Sequence, residues 1–247
     1  MRKILLLILL FIGIPAFAQQ GTGKKVLFIG DSVTDGGWGN DAAGLPSSER
    51  NHDDWNHLFG SGYMYLCAAH FMGEEPEKEL QFLNRGISGN TLKNLQDRWK
   101  EDCLDIKPDV LSILVGTNDI HYWLENPLKP FNFTSWENRY RELIKQTQQA
   151  LPQVKIILCT PFVGKAGWAG EADNFPQRNE CVKRLANIIK KIAKDYQLTL
   201  VPFDEMFQKL LKDYPSQPVS HWCWDGIHPT PATHQRMADL WIEKCGL

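Results

Sequence analysis

The sequence predicts an α/β domain of three layers, an α/β/α sandwich in which helices cover both faces of a parallel sheet. Five short runs are dominated by Val, Ile, Leu and Phe, without strict alternation of apolar and polar residues. This composition is typical of strands that are buried on both faces. Stretches with helical spacing of apolar residues separate the runs. Such alternation favours one doubly wound domain with a five-stranded parallel sheet.

Strands and helices are predicted along the chain from residue 26 onwards. The strands are predicted at residues 26–30, 80–84, 110–116, 155–161 and 198–203. The helices are predicted at residues 55–72, 91–104, 134–150, 177–196 and 231–245. Thr134 is the expected N-cap of the third helix, with Glu137 as its capping-box partner. Long connections at 33–54 and 162–176 follow strand ends, where doubly wound sheets build their ligand sites.

Residues 1–18 have the pattern of a secretory signal peptide. A basic pair at residues 2–3 precedes an unbroken apolar stretch at 4–14, and residues 16–18 form a small-x-small cleavage site. The apolar stretch is too short for a membrane span. The sequence therefore predicts an exported protein, periplasmic or secreted, whose mature chain at 19–247 is a single domain without stable membrane insertion.

The charge and the cysteine spacing of the chain argue against nucleic-acid binding and against a cysteine zinc site. The chain has 27 basic and 29 acidic side chains, and loss of Arg2 and Lys3 with the signal peptide leaves 25 basic residues and a net charge of −4. A mildly acidic chain without a long basic cluster is not expected to bind nucleic acid. The six cysteines include no Cys-x-x-Cys pair, so no cysteine zinc site is predicted and no disulfide pattern is assigned. Cys159 lies in an apolar run and is predicted to be a buried free thiol.

Two distant motifs carry residue types suited to ester cleavage. Gly30-Asp31-Ser32 ends the first predicted strand, and Asp225-Gly226-Ile227-His228 lies near the end of the chain. A serine hydroxyl needs a histidine to take its proton and a carboxylate to hold that histidine in the right tautomer. Ser32 is therefore the candidate nucleophile, His228 the base and Asp225 its orienting partner.

Each motif also has a simpler interpretation. Asp31 and Ser32 could bond only to their own turn, and the Asp-x-x-His segment could merely cap the last helix. The Asn118-Asp119 pair could be a helix-entry cap. Residues 52–57 place two histidines beside two aspartates, yet they lie in a polar loop with no second cluster, so no metal site is predicted.

The four motif blocks together resemble the SGNH (GDSL) hydrolase family over nearly the whole mature chain. The blocks are Gly30-Asp31-Ser32-Val33, with Val33 where the family name has Leu, then Gly86 within the segment 84–90, then Gly116-Thr117-Asn118-Asp119, and finally Asp225-Gly226-Ile227-His228.

This resemblance implies a flavodoxin-like sandwich that needs no metal or organic cofactor. It implies that Ser32, Asp225 and His228 form the catalytic triad. It also implies an oxyanion hole made of the backbone N–H groups of Ser32 and Gly86 and the side-chain amide of Asn118. Glycine suits such a position because a backbone without a Cβ can approach the substrate closely.

Aromatic residues suggest what the substrate is. Flat aromatic faces with a polar edge suit sugar rings, and one set falls in predicted loops on the active-site side: Trp38, Trp123, Trp168, Trp222 and Trp224, with His221 beside them. A second set falls in helices or at their starts and is expected to pack in the core: Trp55, Trp99, Trp136 and Trp241.

The sequence thus predicts a serine esterase that hydrolyses small O-acyl esters through an acyl-enzyme. Acetyl groups on a carbohydrate, either a small molecule or a polysaccharide, are the expected substrate. Two alternatives remain open. One is a lipase, lysophospholipase or thioesterase of the same family, and the other is a non-catalytic glycan-binding module.

Overall fold

The computed structural model describes residues 23–40 and 44–247. Its centre is a five-stranded parallel sheet in the order β2-β1-β3-β4-β5. The strands are β1 Lys25–Gly30, β2 Gln81–Gly86, β3 Val110–Leu114, β4 Lys155–Cys159 and β5 Thr199–Val201. The order reverses at β1, so the carboxyl ends of β1 and β3 flank the switch point where ligands bind in such sheets.

Ten α-helices are described. They are α1 Ser32–Asp35, α2 Tyr63–Glu74, α3 Leu92–Trp99, α4 Thr117–Glu125, α5 Phe133–Ala150, α6 Gly167–Glu171, α7 Phe175–Asp195, α8 Phe203–Asp213, α9 Val219–Trp222 and α10 Pro231–Cys245. A π-helical turn, Lys100–Leu104, continues α3. Short 3-10 turns lie at Trp38–Asn40, Ser47–Glu49 and Pro76–Lys78.

The sheet is covered on both faces, as the fold class requires. One apolar cluster joins β1 to α2, α8 and α10 and includes Phe28, Tyr63 and Trp241. The other joins the opposite face to α3, α4, α5 and α7 and includes Trp99 and Trp136. The predicted α/β/α sandwich with a five-stranded parallel flavodoxin-like sheet is confirmed.

Several element boundaries differ from the prediction. The helix expected from residue 55 begins at Tyr63, because Gly60 has a φ of +70° and ends the preceding turn. Trp55 is 59% exposed, so the expectation that it packs in the core is wrong. The third helix is capped by Asn132, whose side chain accepts the Ser135 N–H, rather than by Thr134.

Five of the described helices were not predicted: α1, α4, α6, α8 and α9. Helices α1, α4 and α8 each begin close behind a strand, where the apolar residues of the strand obscure the onset of helical spacing. In α8 the buried residues Phe203, Phe207 and Leu210 form one apolar face, and the first of them was assigned to the preceding strand.

All six cysteines lie in the described part of the chain, and none is paired. Cys159 is buried, as predicted. Within residues 23–40 and 44–247, no helix combines the length and the apolar composition needed to cross a membrane. The predicted signal peptide at 1–18 lies outside the described residues.

Candidate active site

The strand β1 delivers Ser32 to the carboxyl edge of the sheet. Asp31 is the N-cap of α1, and its side chain accepts the N–H of Val33 at 3.1 Å. Ser32 is the first residue of that helix and is only partly buried. Its own N–H makes no hydrogen bond with the described residues, as expected in the first turn of a helix. Both the hydroxyl and the N–H of Ser32 are therefore available at this edge.

Ser32 and His228 are in hydrogen-bonding contact. The Ser32 Oγ lies 2.8 Å from the His228 Nε2, and the His228 Nδ1 lies 2.7 Å from the Asp225 Oδ2. The other oxygen of Asp225 accepts the backbone N–H groups of Ile227 at 2.9 Å and of His228 at 2.7 Å. The turn 225–228 thus holds its own carboxylate and imidazole together.

Burial and hydrogen bonds set the charges of these groups. Burial alone would raise the pKa of Asp225, but the bonds donated by the His228 ring and by the turn N–H groups lower it to about 2. The bond to Asp225 raises the pKa of His228 above its ordinary value, against the opposing effect of burial. Burial also raises the pKa of Asp31 to about 6, although the bond from the Val33 N–H opposes this. At neutral pH the Asp225 carboxylate is charged and orients the imidazole.

Asn118 lies in the first turn of α4 and is buried. Its Nδ2 donates one bond to the Asn90 backbone oxygen at 3.1 Å. An amide nitrogen carries two hydrogens, so a second donor remains. The structure brings this amide to the turn that follows β2.

The N–H of Gly86 is already used within the protein. It donates to the Asn84 Oδ1 at 2.8 Å, so it is not free to face a substrate oxygen as expected. Glycine is needed here for a different reason. A Cβ at this position would lie 2.3 Å from the Asp35 nitrogen, so the residue lets α1 pack against β2.

Gly89, three residues further on, was missed by the sequence reasoning. Its φ is +80°, a conformation that favours glycine, and its N–H makes no hydrogen bond with the described residues. The Ile87 N–H donates to the Gly30 oxygen at 3.1 Å, so this turn lies beside the start of α1. The Gly-x-x-Gly spacing in the segment 86–89 was the available clue.

The predicted aromatic contacts divide into two groups. Trp38 is 1% exposed, and its indole donates to the Gly86 oxygen at 2.8 Å. Trp222 is also buried. Both are core residues, so the expected substrate role is wrong for them. Trp123 is partly buried and donates to the Lys129 oxygen at 2.7 Å. The His221 ring lies nearly perpendicular to the Trp222 ring, with 4.6 Å between the ring centres.

Two of the predicted aromatics do lie beside the Ser32–His228 pair. Trp224 is 59% exposed, and its ring lies 6.1 Å from the His228 ring at an interplanar angle of 23°. Trp168 is half-exposed and points its indole N–H at Asp225. Tyr122, which the sequence analysis did not single out, is exposed on α4, and its hydroxyl lies close to Gly89.

The histidine-rich loop is held by hydrogen bonds within the protein. The His52 Nε2 lies 2.8 Å from the Ser47 oxygen, and the His57 Nδ1 lies 2.7 Å from the Asp54 Oδ2. In the part of the chain that the structure describes, no group of three His, Cys, Asp or Glu side chains could hold a metal ion.

A serine-dependent acyl hydrolase needs a serine, a histidine and an aspartate linked by hydrogen bonds. The structure places these three residue types together at the carboxyl edge of the parallel sheet. Comparisons with known proteins agree with this class. Residues 28–236 match the GDSL-like lipase/acylhydrolase family.

Curated and solved relatives resemble the chain over most of its length. An acetylxylan esterase from Geobacillus stearothermophilus is 32% identical over 231 residues, which cover 92% of this chain and 95% of that protein. The solved structure of the acetylxylan esterase Axe2 from the same organism aligns with a TM-score of 0.73, 29% identity and coverage of 92% and 96% of the two chains. A protein from Parabacteroides merdae described as a GDSL-like lipase aligns with a TM-score of 0.76, 32% identity and coverage of 89% and 94%.

The chain therefore belongs to the GDSL-like lipase/acylhydrolase family, and it is a carboxylic ester hydrolase. The resemblance drawn from the four motif blocks is confirmed.

Proposed function

We propose that the protein removes acetyl groups from carbohydrate, with acetylated xylan and its oligosaccharides as the substrate class. The observation that carries the proposal is the Ser32–His228–Asp225 series, with contacts of 2.8 and 2.7 Å. A relative 32% identical is an acetylxylan esterase, which supports the choice of acyl group and sugar.

The reaction follows from the contacts. The His228 Nε2 takes the proton of the Ser32 hydroxyl while Oγ attacks the acetyl carbon, and Asp225 stabilises the imidazolium through Nδ1–H. The tetrahedral intermediate expels the sugar oxygen, which receives the proton from His228. Water then attacks the acetyl-serine with His228 again as base, and acetate leaves.

Three donors would stabilise the oxyanion. These are the N–H of Ser32 in the first turn of α1, the second Nδ2 hydrogen of Asn118 and the N–H of Gly89. Each is without a protein acceptor among the described residues. Gly89 takes the place first assigned to Gly86, since the Gly86 N–H is bonded to Asn84.

The exposed aromatics around the pair suit a sugar. Trp224 and Tyr122 are 59% and 46% exposed, and a ring face in water offers a platform for the C–H face of a pyranose. Ser32 and His228 are themselves only partly buried, which allows an ester on a bulky glycan to reach them.

Release of free acetate from acetylated xylo-oligosaccharides tests the proposal, with Ser32→Ala as the blank. A series of 4-nitrophenyl esters separates the related activities. Rates that are highest on acetate and collapse by octanoate support deacetylation, whereas the opposite order indicates a lipase or thioesterase. A wild-type protein no faster than the blank on every ester would favour a glycan-binding module.

Export of the mature chain 19–247 as one domain is a further part of the proposal. The pattern of residues 1–18 supports it. Mass spectrometry of the protein recovered outside the cytoplasm tests it, because cleavage after Ala18 predicts Gln19 as the first residue. Retention of residues 1–18 in that fraction would contradict it.

A further inference from the structure

Trp168 contacts the carboxylate that orients His228. Its Nε1 lies 3.3 Å from the Asp225 Oδ2, the same oxygen that accepts the His228 Nδ1–H at 2.7 Å. Two donors therefore converge on one carboxylate oxygen, and only one of them belongs to the proposed triad. The other comes from α6, in the long connection after β4.

Backbone contacts fix this connection against the Asp225 turn. The Ala169 N–H donates to the Asp225 oxygen at 3.1 Å, and the Gly164 N–H donates to the Gly226 oxygen at 2.9 Å. Gly167, with a φ of +51°, approaches so closely that a Cβ would lie 2.5 Å from the Asp225 Cα. The backbone around Trp168 is therefore hydrogen-bonded to the backbone of the Asp225 turn and packed closely against it.

Arg178 and His121 also contact the Trp168 ring. The guanidinium carbon of Arg178 lies 5.7 Å from the ring centre, and the His121 ring lies 5.2 Å from it. The Arg178 Nη1 lies 3.3 Å from the His121 Nδ1. Burial, together with the charge of Arg178, lowers the pKa of His121, so its Nδ1 can accept a hydrogen bond.

The guanidinium of Arg178 is unusual for a buried group. The residue is 2% exposed and its Nε has no acceptor among the described residues, where the Glu125 carboxylate acts on it through its charge but forms no ion pair with it. A buried charge without a carboxylate partner costs stability. A buried polar group of this kind needs an explanation beyond packing. Arg178 contacts the Trp168 ring, and Trp168 in turn contacts Asp225.

We propose that Trp168 is a positioning residue for Asp225, and that Arg178 and His121 hold its indole in place. The inference rests on the proposed function, because it assigns Trp168 to the working of the same triad. The indole N–H keeps Oδ2 directed at His228, as a supporting hydrogen bond does for an orienting ligand. The exposed ring face remains open to substrate.

Other titratable groups face the Asp225–His228 pair from neighbouring elements. Asp31 acts on His228 through its charge. Burial raises the pKa of Cys223 to about 12 and lowers that of His234 to about 4, so both are neutral around pH 7. Arg178 is the nearby cation on α7, and Glu125 lies 3.7 Å from His121 on α4.

Trp168→Phe tests the proposal, because it keeps a ring and removes the donor. With one donor fewer, the carboxylate binds the imidazolium more strongly. We therefore expect the acid limb of the kcat profile to move up by about half a pH unit. On the plateau we expect kcat to fall by about tenfold, because Oδ2 is no longer held toward His228, with the KM for 4-nitrophenyl acetate unchanged. Arg178→Met should likewise move the acid limb to higher pH and lower kcat. The matched control is Trp55→Phe, at another exposed tryptophan (59%, against 51% for Trp168) far along the chain, which should change neither.

A proton NMR titration of His228 gives a readout that does not need activity. The Nδ1 proton of an imidazole bonded to a carboxylate can be followed in wild type and in Trp168→Phe, and the His228 titration midpoint should rise in the variant. Identical titrations and identical pH profiles would overturn the inference, as would a change confined to KM. If wild type released no acetate, the proposed function would fail while the titration still decided the role of Trp168.

Discussion

The Ser32 Oγ and the His228 Nε2 lie 2.8 Å apart, although 196 positions separate the two residues in the chain. β1 brings the serine and the turn before α10 brings the histidine. The contact is direct, so no loop movement is needed before the proton can pass.

Removal of either side chain should therefore abolish most of the esterase activity without unfolding the protein. We expect Ser32→Ala and His228→Ala to lower kcat on 4-nitrophenyl acetate by about 10³–10⁶. Both side chains are partly exposed at the sheet edge, so the melting temperature should change little. Retention of most of the activity by either variant would refute the assigned roles.

Activity should rise with pH through the titration of His228. The imidazole acts as a base only when neutral, and the bond to Asp225 raises its pKa above 6.5. The midpoint of the rise in kcat should thus lie above pH 6.5, with little activity below it. The Asp225 carboxylate, with a pKa of about 2, stays ionised over this range. A rate profile that is flat from pH 5 to 9 would contradict a histidine base.

Gly86→Ala should mainly lower stability, whereas Gly89→Ala should mainly lower kcat. The first places a Cβ 2.3 Å from the Asp35 backbone nitrogen, so we expect a loss of stability of about 1–3 kcal/mol or more. The second disturbs a proposed oxyanion donor and should cost about 10²–10³ in kcat, with a smaller drop in melting temperature. Wild-type kcat in folded Gly89→Ala would remove that donor from the mechanism.

Trp224→Ala should weaken binding of acetylated oligosaccharides. Its exposed ring lies nearly parallel to the His228 ring, 6.1 Å away, and it is a proposed platform for sugar. We expect a rise in KM for the oligosaccharide of about fivefold or more, with a smaller change for 4-nitrophenyl acetate. Trp55→Ala, at the same exposure, serves as the control. Equal changes for both substrates would argue against a sugar platform.

The buried pair Arg50–Asp35 should matter for stability. Arg50 donates two bonds to the Asp35 carboxylate at 2.6 and 2.9 Å, and the Asp35 Oδ2 also accepts the Ser88 N–H at 2.7 Å. Arg50→Met leaves that carboxylate buried and unpaired, which should lower the free energy of unfolding by about 3–5 kcal/mol. Urea denaturation measures it. Lys100→Met, which breaks the exposed pair with Asp105, should leave the midpoint almost unchanged.

Local patterns in the sequence were sufficient to predict the sheet and the ester hydrolase class. Apolar runs placed all five strands, and the last helix was predicted at its observed bounds. Ser32, Asp225 and His228 were singled out because a strand-end turn and an Asp-x-x-His turn are short-range features. A turn of four residues brings its own carboxylate and imidazole together wherever the chain places it.

The sequence by itself thus determined the parallel sheet, the family and the pair of turns that meet at its edge. Only the tertiary structure decided how the donors and rings are used. The Gly86 N–H turned inward to Asn84, whereas the Gly89 N–H found no acceptor among the described residues. The buried Trp38 indole bonded to the Gly86 oxygen, and Trp168 reached Asp225. The physical reason is that each donor can serve one strong acceptor at a time. Which acceptor it meets depends on segments far along the chain, and residue spacing does not encode that choice.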